Sequence, residues 1–391
     1  MTAARDDTLL ALAIMQRFAE RTGVFAPAGS ARRYLWTDAF AVCNFLALHR
    51  ATGDPEQLSA ARALVQQVHE VLGRHRPDSP RSGWISGLSE VEGREHPTRG
   101  GLRIGKPMPE RPPGAPMIER EEWDRDGQYF HYLTRWMHAL ARMAAATGET
   151  PYLDQAVDLA LAAHAAFTHP GTRDGARSLH WKMSIDLGRP LVPSMSPLDP
   201  VDGLLTTMEL QAAVAASRSP AEASRLDASR RDFARMEAAI DAATPDALGI
   251  GCLLSGAYAQ AQLIARGSAS GTGLLYRLLG CAEAGLEAFL RGRSLVLPTR
   301  HRLAFRELGL SIGLHAVEKM TALWRQLPAQ PGIDHIGPSL EALCRHTAVA
   351  AAIERQWSDS CNQQEPTWTA HRDINEVMLA TSLLPDGYLS V

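Results

Sequence analysis

The sequence predicts an all-α protein of about twelve helices paired as antiparallel hairpins, and three observations carry that prediction. Apolar residues recur at helical spacing along most of the chain. No stretch of strict alternation is long enough to make a sheet. The links between the expected helices are short and long by turns, as packed hairpins require.

The periodicity is visible in single segments. Ala61, Leu64, Val65, Val68, Val71 and Leu72 stand at i, i+3, i+4, i+7, i+10 and i+11, one stripe of one helix. Leu133, Trp136, Met137, Leu140, Met143 and Ala144 repeat that spacing. In order, helices are expected at 7–22, 37–51, 55–74, 126–146, 151–167, 199–216, 220–243, 247–266, 271–292, 299–326, 338–357 and 371–383. Two turns between them are alike. Arg50-Ala51-Thr52-Gly53-Asp54-Pro55 and Ala146-Thr147-Gly148-Glu149-Thr150-Pro151 each offer a glycine to end one helix and a proline to begin the next. Ser217-Arg218-Ser219-Pro220 and the stretch 267–271 are shorter variants, a weak repeat of helical hairpins.

The links after the second, fourth, sixth and eighth helices are short, and those after the first, third, fifth and eleventh are long. The longest, 76–125, holds GREHPTRGG and KPMPERPPGAP, and a loop of that length is usually functional or disordered. Hairpins packed side by side would put the long loops, and the helix N-termini they enter, on one face. The even helices are also the more apolar: 39–48 and 248–264 are apolar nearly all round, as inner helices must be. Helix 55–74 carries Arg62, Gln66, Gln67, Glu70 and Arg74 on its open side and reads as an outer helix. Inner helices ringed by outer ones describe an (α/α)6 barrel. It would be a single domain over 1–391 with 76–125 as a loop insertion. The competing architecture is a curved helical-repeat solenoid.

A hydrophobic share of 45% and a charged share of 21% describe an ordinary soluble globular chain. The net charge of −3 leaves no dominant basic face for nucleic acid. Cys43, Cys252, Cys281, Cys344 and Cys361 are scattered and odd in number, which fits free thiols in a reducing compartment. Asp6 and Asp7 stand where a signal peptide carries positive charge, and no apolar run reaches a membrane span. A cytoplasmic protein with no membrane partner is expected, its oligomeric state open.

Polar residues at the heads of the inner helices would converge on one cavity. Tyr34, Trp36 and Asp38 precede or open the second helix. Glu119, Glu121, Glu122, Trp123, Asp124, Asp126, Tyr129 and His131 surround the start of the fourth. Asp199 and Asp202 open the sixth, His301 and Arg302 the tenth, and Trp368, His371, Asp373, Asn375 and Glu376 the twelfth, with Trp84, His180 and Trp181 in the long loops. Aromatic faces stack on the C–H faces of sugar rings and carboxylates bind hydroxyls, so this mixture suits a carbohydrate. Glycoside hydrolysis requires one protonated and one ionised carboxyl group. Asp38, Asp126 and Asp202 are the leading candidates, each in a presumed first turn, although that is also where an aspartate caps a helix. The helix dipole lowers the pKa of such an Asp, so the acid could instead be Glu122 or Glu376. Trp36, Trp84, Trp123, Tyr129, His131, His180, Trp181, Trp368, His371 and Asp373 are the candidate substrate contacts. A second reading gives His131, His180, His315 or His371 acid/base work beside a sugar carbonyl. A third is a non-catalytic scaffold whose loop 76–125 engages a partner.

Other motifs fail on context. Gly309-Leu310-Ser311-Ile312-Gly313 matches a nucleophile elbow but lies within a continuous helical pattern, where small-residue packing explains it. No HExxH, Cys/His cluster or P-loop occurs, so no metal or cofactor is expected.

The twelve-helix hairpin count and the Thr-Gly-Asp and Thr-Gly-Glu turns resemble the six-hairpin glycosidase superfamily. The resemblance covers nearly the whole chain and is architectural, without a catalytic signature. It implies an (α/α)6 barrel with a carbohydrate site at its mouth. The expected activity is a hydrolase of an oligosaccharide or uronic-acid-containing sugar, with a sugar 2-epimerase on the same barrel as the alternative.

Overall fold

A computed structural model describes residues 2–26, 31–171, 177–218, 220–326 and 333–391. Ser219 of the expected 217–220 turn lies outside the described residues. The first elements are α1 (Thr2–Thr22), α2 (Leu35–Thr52), α3 (Pro55–Leu72), and the short α4 (Glu90–Glu95) and α5 (Glu119–Glu122). Then come β1 (Gln128–Tyr129), α6 (Phe130–Thr147), α7 (Thr150–Phe167), β2 (Thr168–Pro170), β3 (Arg177–Leu179), β4 (Lys182–Met183) and β5 (Pro190–Val192). The rest is helical: α8 (Asp199–Ser217), α9 (Pro220–Ala223), α10 (Asp227–Glu237), α11 (Ala247–Ala265), α12 (Gly273–Arg291) and α13 (Ala304–Trp324). It closes with α14 (Ile336–Cys344), α15 (Ala348–Ser358), α16 (Pro366–Thr369), α17 (Arg372–Leu383) and α18 (Asp386–Leu389). The protein is all-α in its main framework, as the periodicity predicts.

The small strands are the departure from that reading. Gln128 and Tyr129, expected inside a helix, give their backbone groups to β4 instead, pairing with Met183 and Lys182, so α6 starts only at Phe130. The expected helix 338–357 is two helices. Between them the Thr347 hydroxyl bonds the Cys344 carbonyl at 3.2 Å, which competes with the helical ladder. The expected helix 220–243 is broken at 224–226 and stops at Glu237.

The two matching turns are built alike. Gly53 (φ +71°) and Gly148 (φ +72°) take the left-handed conformation that ends a helix. Before each, a threonine hydroxyl bonds back to the fourth carbonyl behind it, Thr52 to Leu48 at 2.7 Å and Thr147 to Met143 at 2.8 Å. That hydroxyl then accepts from Asp54 or Glu149 N–H at 3.2 Å. The repeat Thr-Gly-Asp/Glu is thus a helix stop with its own hydrogen-bond pattern.

The described residues group into two compact units. The first comprises Ala19–Leu46 and Pro55–Ile240, the second Met1–Phe18, Ala47–Asp54 and Asp241–Val391. In the first unit, α6 and α7 form a hairpin through a two-residue link, and α8 packs against α6, α7 and α10. Within this unit α2 and α6 run the same way. Tyr34, just before α2, meets Tyr132 of α6, and Cys43 further along α2 meets His138 further along α6. In the second unit, α11 and α13 are in intimate contact. A Cβ on Gly251 would lie 2.0 Å from the carbonyl oxygen of Gly309, and one on Gly313 would lie 2.7 Å from the Gly251 Cα. The Gly309–Gly313 motif is therefore a helix-packing face. Leu248 meets Gly309 and Leu254 meets Gly313, so these two helices also run parallel. Asn375 of α17 accepts from Phe305 N–H at 3.0 Å at the head of α13. Among the described residues α11 alone is long and apolar enough to cross a membrane, and most of it is buried within the protein.

Candidate functional site

The heads of α2, α6 and α8 assemble a ring-rich polar site in the first unit. The small sheet positions it. Tyr129 pairs with Lys182 across β1 and β4, and Phe130 N–H reaches the Trp181 carbonyl at 3.4 Å. This brings Trp181 onto Tyr129, with ring centroids 5.3 Å apart, and parallel to His131 at 6.2 Å and 16°. Tyr132 closes against Tyr129 at 5.1 Å and His131 at 4.8 Å, and its hydroxyl shares a 2.6 Å hydrogen bond with that of Tyr34. Trp123 stands edge-on to Trp181 at 5.1 Å and is 49% exposed, the open rim of the group.

Beside these rings lie two buried carboxyl groups. Asp199 Oδ1 is 3.8 Å from His131 Nδ1, and Asp199 Oδ2 accepts from Ser196 N–H at 3.1 Å. Burial, reinforced by the neighbouring Asp202, pushes the Asp199 carboxyl well above the usual range. Asp202 accepts from Arg135 at 2.9 Å on both oxygens. Burial raises its pKa also, while the guanidinium opposes the rise. His131 is pushed down to about 3 by burial and by Arg135, so its imidazole is neutral, and its buried Nδ1 has no hydrogen-bond partner. Two carboxyl groups in unlike surroundings are the physical basis of an acid and a base in one site.

The same two helices continue the polar contact inward. His138, two turns after His131, places Nδ1 2.9 Å from both oxygens of Glu209. His131, Arg135 and His138 (i, i+4, i+7) thus face Asp199, Asp202 and Glu209 (i, i+3, i+10) in order, and α6 and α8 run parallel.

The other expected site residues are placed as follows. Asp38 is buried against Arg33 at 3.3 Å and accepts from Tyr34 N–H at 2.9 Å, an arrangement that caps α2. Asp126 is fully buried. It accepts from Arg103 at 3.0 Å, Arg76 at 3.2 Å and the backbone N–H groups of Gly105 and Gly127 at 3.0 and 3.1 Å, and so anchors the long loop. Glu122 is buried between Lys182 at 3.0 Å and Arg111 at 3.1 Å. Trp36 is buried on Phe40, Trp84 is buried under the Arg74 guanidinium at 4.0 Å, and His180 stacks on His169 at 4.0 Å. Glu376, Trp368, His371 and Asp373 belong to the second unit. There Trp368 is buried on Trp357 at 5.8 Å, Glu376 is buried, and His371 is exposed with its ring 5.8 Å from Phe305. His315, also of the second unit, bonds Glu354 at 2.7 Å.

The structure therefore gathers Tyr129, His131, Trp123, Trp181 and Asp202 from the expected set. It adds Tyr34 and Asp199, which stand at helix heads, and Tyr132 and Arg135 within the first turns of α6. The sequence signal for Arg135 is the polar spacing His131, Arg135, His138 along one face of the helix; Tyr132 has no such signal. Among the described residues no three His, Cys, Asp or Glu side chains gather as a metal site would need. No protein-family model matches the chain, and no curated protein matches it in sequence.

Proposed function

We propose that the protein is a carbohydrate-active enzyme, a glycoside hydrolase acting at the heads of α2, α6 and α8, with Asp199 as proton donor and Asp202 as the ionised partner. The observation that carries this is the Asp199–Asp202 pair. Burial and a like charge hold the proton on Asp199, and Arg135 favours the charge on Asp202. Tyr34, Tyr129, Tyr132, Trp181 and the exposed Trp123 supply faces on which a sugar ring can lie. The architecture we propose with it is the (α/α)6 barrel. Its support is that α2, α6 and α8 in one unit, and α11 and α13 in the other, are parallel apolar helices at the places the sequence assigns to inner ones. The five free cysteines support a reducing compartment.

The test is hydrolysis of a panel of aryl glycosides and oligosaccharides. Asp199→Asn and Asp202→Asn should each lower kcat by at least about a hundredfold. The alkaline limb of the pH profile should vanish in Asp199→Asn. Full turnover by both variants on an identified substrate would remove the assignment. The unpartnered Nδ1 of His131 favours a second reading, proton abstraction beside a sugar carbonyl. That reading expects deuterium from D2O at the carbon next to the carbonyl of a reducing sugar, lost in His131→Gln. Saturable sugar binding with neither reaction would leave a binding protein.

A further inference from the structure

The first unit holds a concavity of about 410 Å3, lined by none of the residues assigned to the proposed hydrolase site. That size lies within the range that takes small ligands, about 300–1,000 Å3. Its walls are Val65, Gln66 and His69 of α3, Trp84 of the long loop, and Tyr152 and Gln155 of α7. They are set in place before any ligand arrives. Arg74 lies on the Trp84 ring at 4.0 Å, and Ser89 and Glu92 close a reciprocal cap on α4.

Three polar groups of this cavity lack partners, and one of them is the buried indole N–H of Trp84, a donor. Trp136 Nε1 donates to His69 Nε2 at 3.1 Å, which puts the ring proton on Nδ1. His69 is 6% exposed, and its Nδ1–H has no acceptor among the described residues. Gln155 Oε1 is buried and has no donor. The cavity thus shows two unanswered donors, His69 Nδ1–H and Trp84 Nε1–H, and one unanswered acceptor, Gln155 Oε1. A carboxylate can answer only the donors and an ammonium only the acceptor, whereas hydroxyls answer both kinds. The charges at the rim are already matched. Arg62 bonds Glu149 at 2.9 Å, Arg74 bonds Glu70 at 3.0 Å and Glu90 at 2.6 Å, and Arg94 pairs with Glu90 at 3.0 Å.

We propose that this cavity is a binding site for an uncharged polyhydroxylated ligand, a sugar unit or polyol, with one hydroxyl bridging His69 Nδ1–H and Gln155 Oε1. It goes beyond the hydrolase reading and does not depend on it. The test is 19F NMR of protein labelled with 5-fluorotryptophan, titrated with glucose, maltose and myo-inositol, with glucuronate and glucosamine as charged comparators. Trp84→Phe and Trp136→Phe assign the two resonances. The neutral ligands should shift both saturably and bind more tightly than the charged ones. Gln155→Met, which keeps shape and removes the acceptor, should weaken binding about tenfold, and Gln66→Phe should narrow the cavity and weaken it too. The Asp199→Asn/Asp202→Asn double variant should bind as the wild type does, so the two proposals fail separately. Absence of a saturable shift (water alone in the cavity), tighter binding of a charged comparator, or unchanged binding by Gln155→Met would each overturn the assignment.

Discussion

At the scale of single residues, Asp199 has an environment that works against folding. Its carboxyl is fully buried and its pKa is raised by burial first and by Asp202 second. A group raised in the fold adds stability that is full below its unfolded pKa and is lost as pH rises through the folded value. At neutral pH and above, Asp199 therefore holds either a proton it would shed when unfolded or a charge that burial opposes. Replacing it with asparagine removes that conflict and keeps the shape. Asp199→Asn should raise the unfolding free energy at pH 8 by at least about 1 kcal/mol while turnover falls. Urea unfolding beside the activity assay checks this; a destabilised Asp199→Asn would mean that the carboxyl is a structural anchor. Asp126 is the counter-case, because apart from the adjacent Gly127 N–H its donors come from Arg76, Arg103 and the backbone of Gly105, all distant in sequence. Nothing near Asp126 in the chain announces those partners. For that reason first-turn position alone did not separate an anchor from an acid.

At the scale of elements, local chemistry was legible and pairing was not. The Thr-Gly-Asp and Thr-Gly-Glu turns could be read because every group that builds them lies within six residues. The β1–β4 ladder could not, since Tyr129 and Lys182 belong to two-residue strands joined only in space. The face of α11 against α13 was half legible. Gly309 and Gly313 announced small-residue packing, but Gly251 as its counterpart shows only in the fold. The two glycines of this contact should respond unequally to alanine. At Gly251 the new Cβ meets backbone, the Gly309 carbonyl at 2.0 Å, whereas at Gly309 it meets first the movable Leu248 Cδ1 at 2.5 Å. Gly251→Ala should cost about 3 kcal/mol or more and Gly309→Ala about 1 kcal/mol. Equal costs in denaturant titrations would contradict the close helix contact.

For the molecule as a whole, the helical framework followed from periodicity because apolar stripes depend on the chain's own spacing. The carboxyl partnerships and the tautomers of the histidines depend on tertiary neighbours and were out of reach. Those histidines set how stability varies with pH. His69 and His131 are lowered by burial from their ordinary value of 6.5 to about 3, so the unfolded chain takes up protons first. Their contribution is full above pH 6.5 and is lost as pH falls toward about 3. His138 acts in the opposite sense. Burial alone would lower it, but Glu209 and Cys43 outweigh burial and raise it to about 10. Its contribution is full below pH 6.5 and disappears as pH rises through about 10. The melting temperature should therefore peak near neutral pH and fall on both sides. His69→Gln should flatten the acid side while keeping an acceptor for Trp136. Glu209→Gln should lower stability at neutral pH and flatten the alkaline side, because burial, no longer opposed by the Glu209 charge, then keeps His138 neutral there. If Glu209→Gln instead leaves the alkaline limb as steep as in the wild type, the His138–Glu209 pair is not the group that titrates there, and Asp199 with the tyrosine hydroxyls must carry that limb.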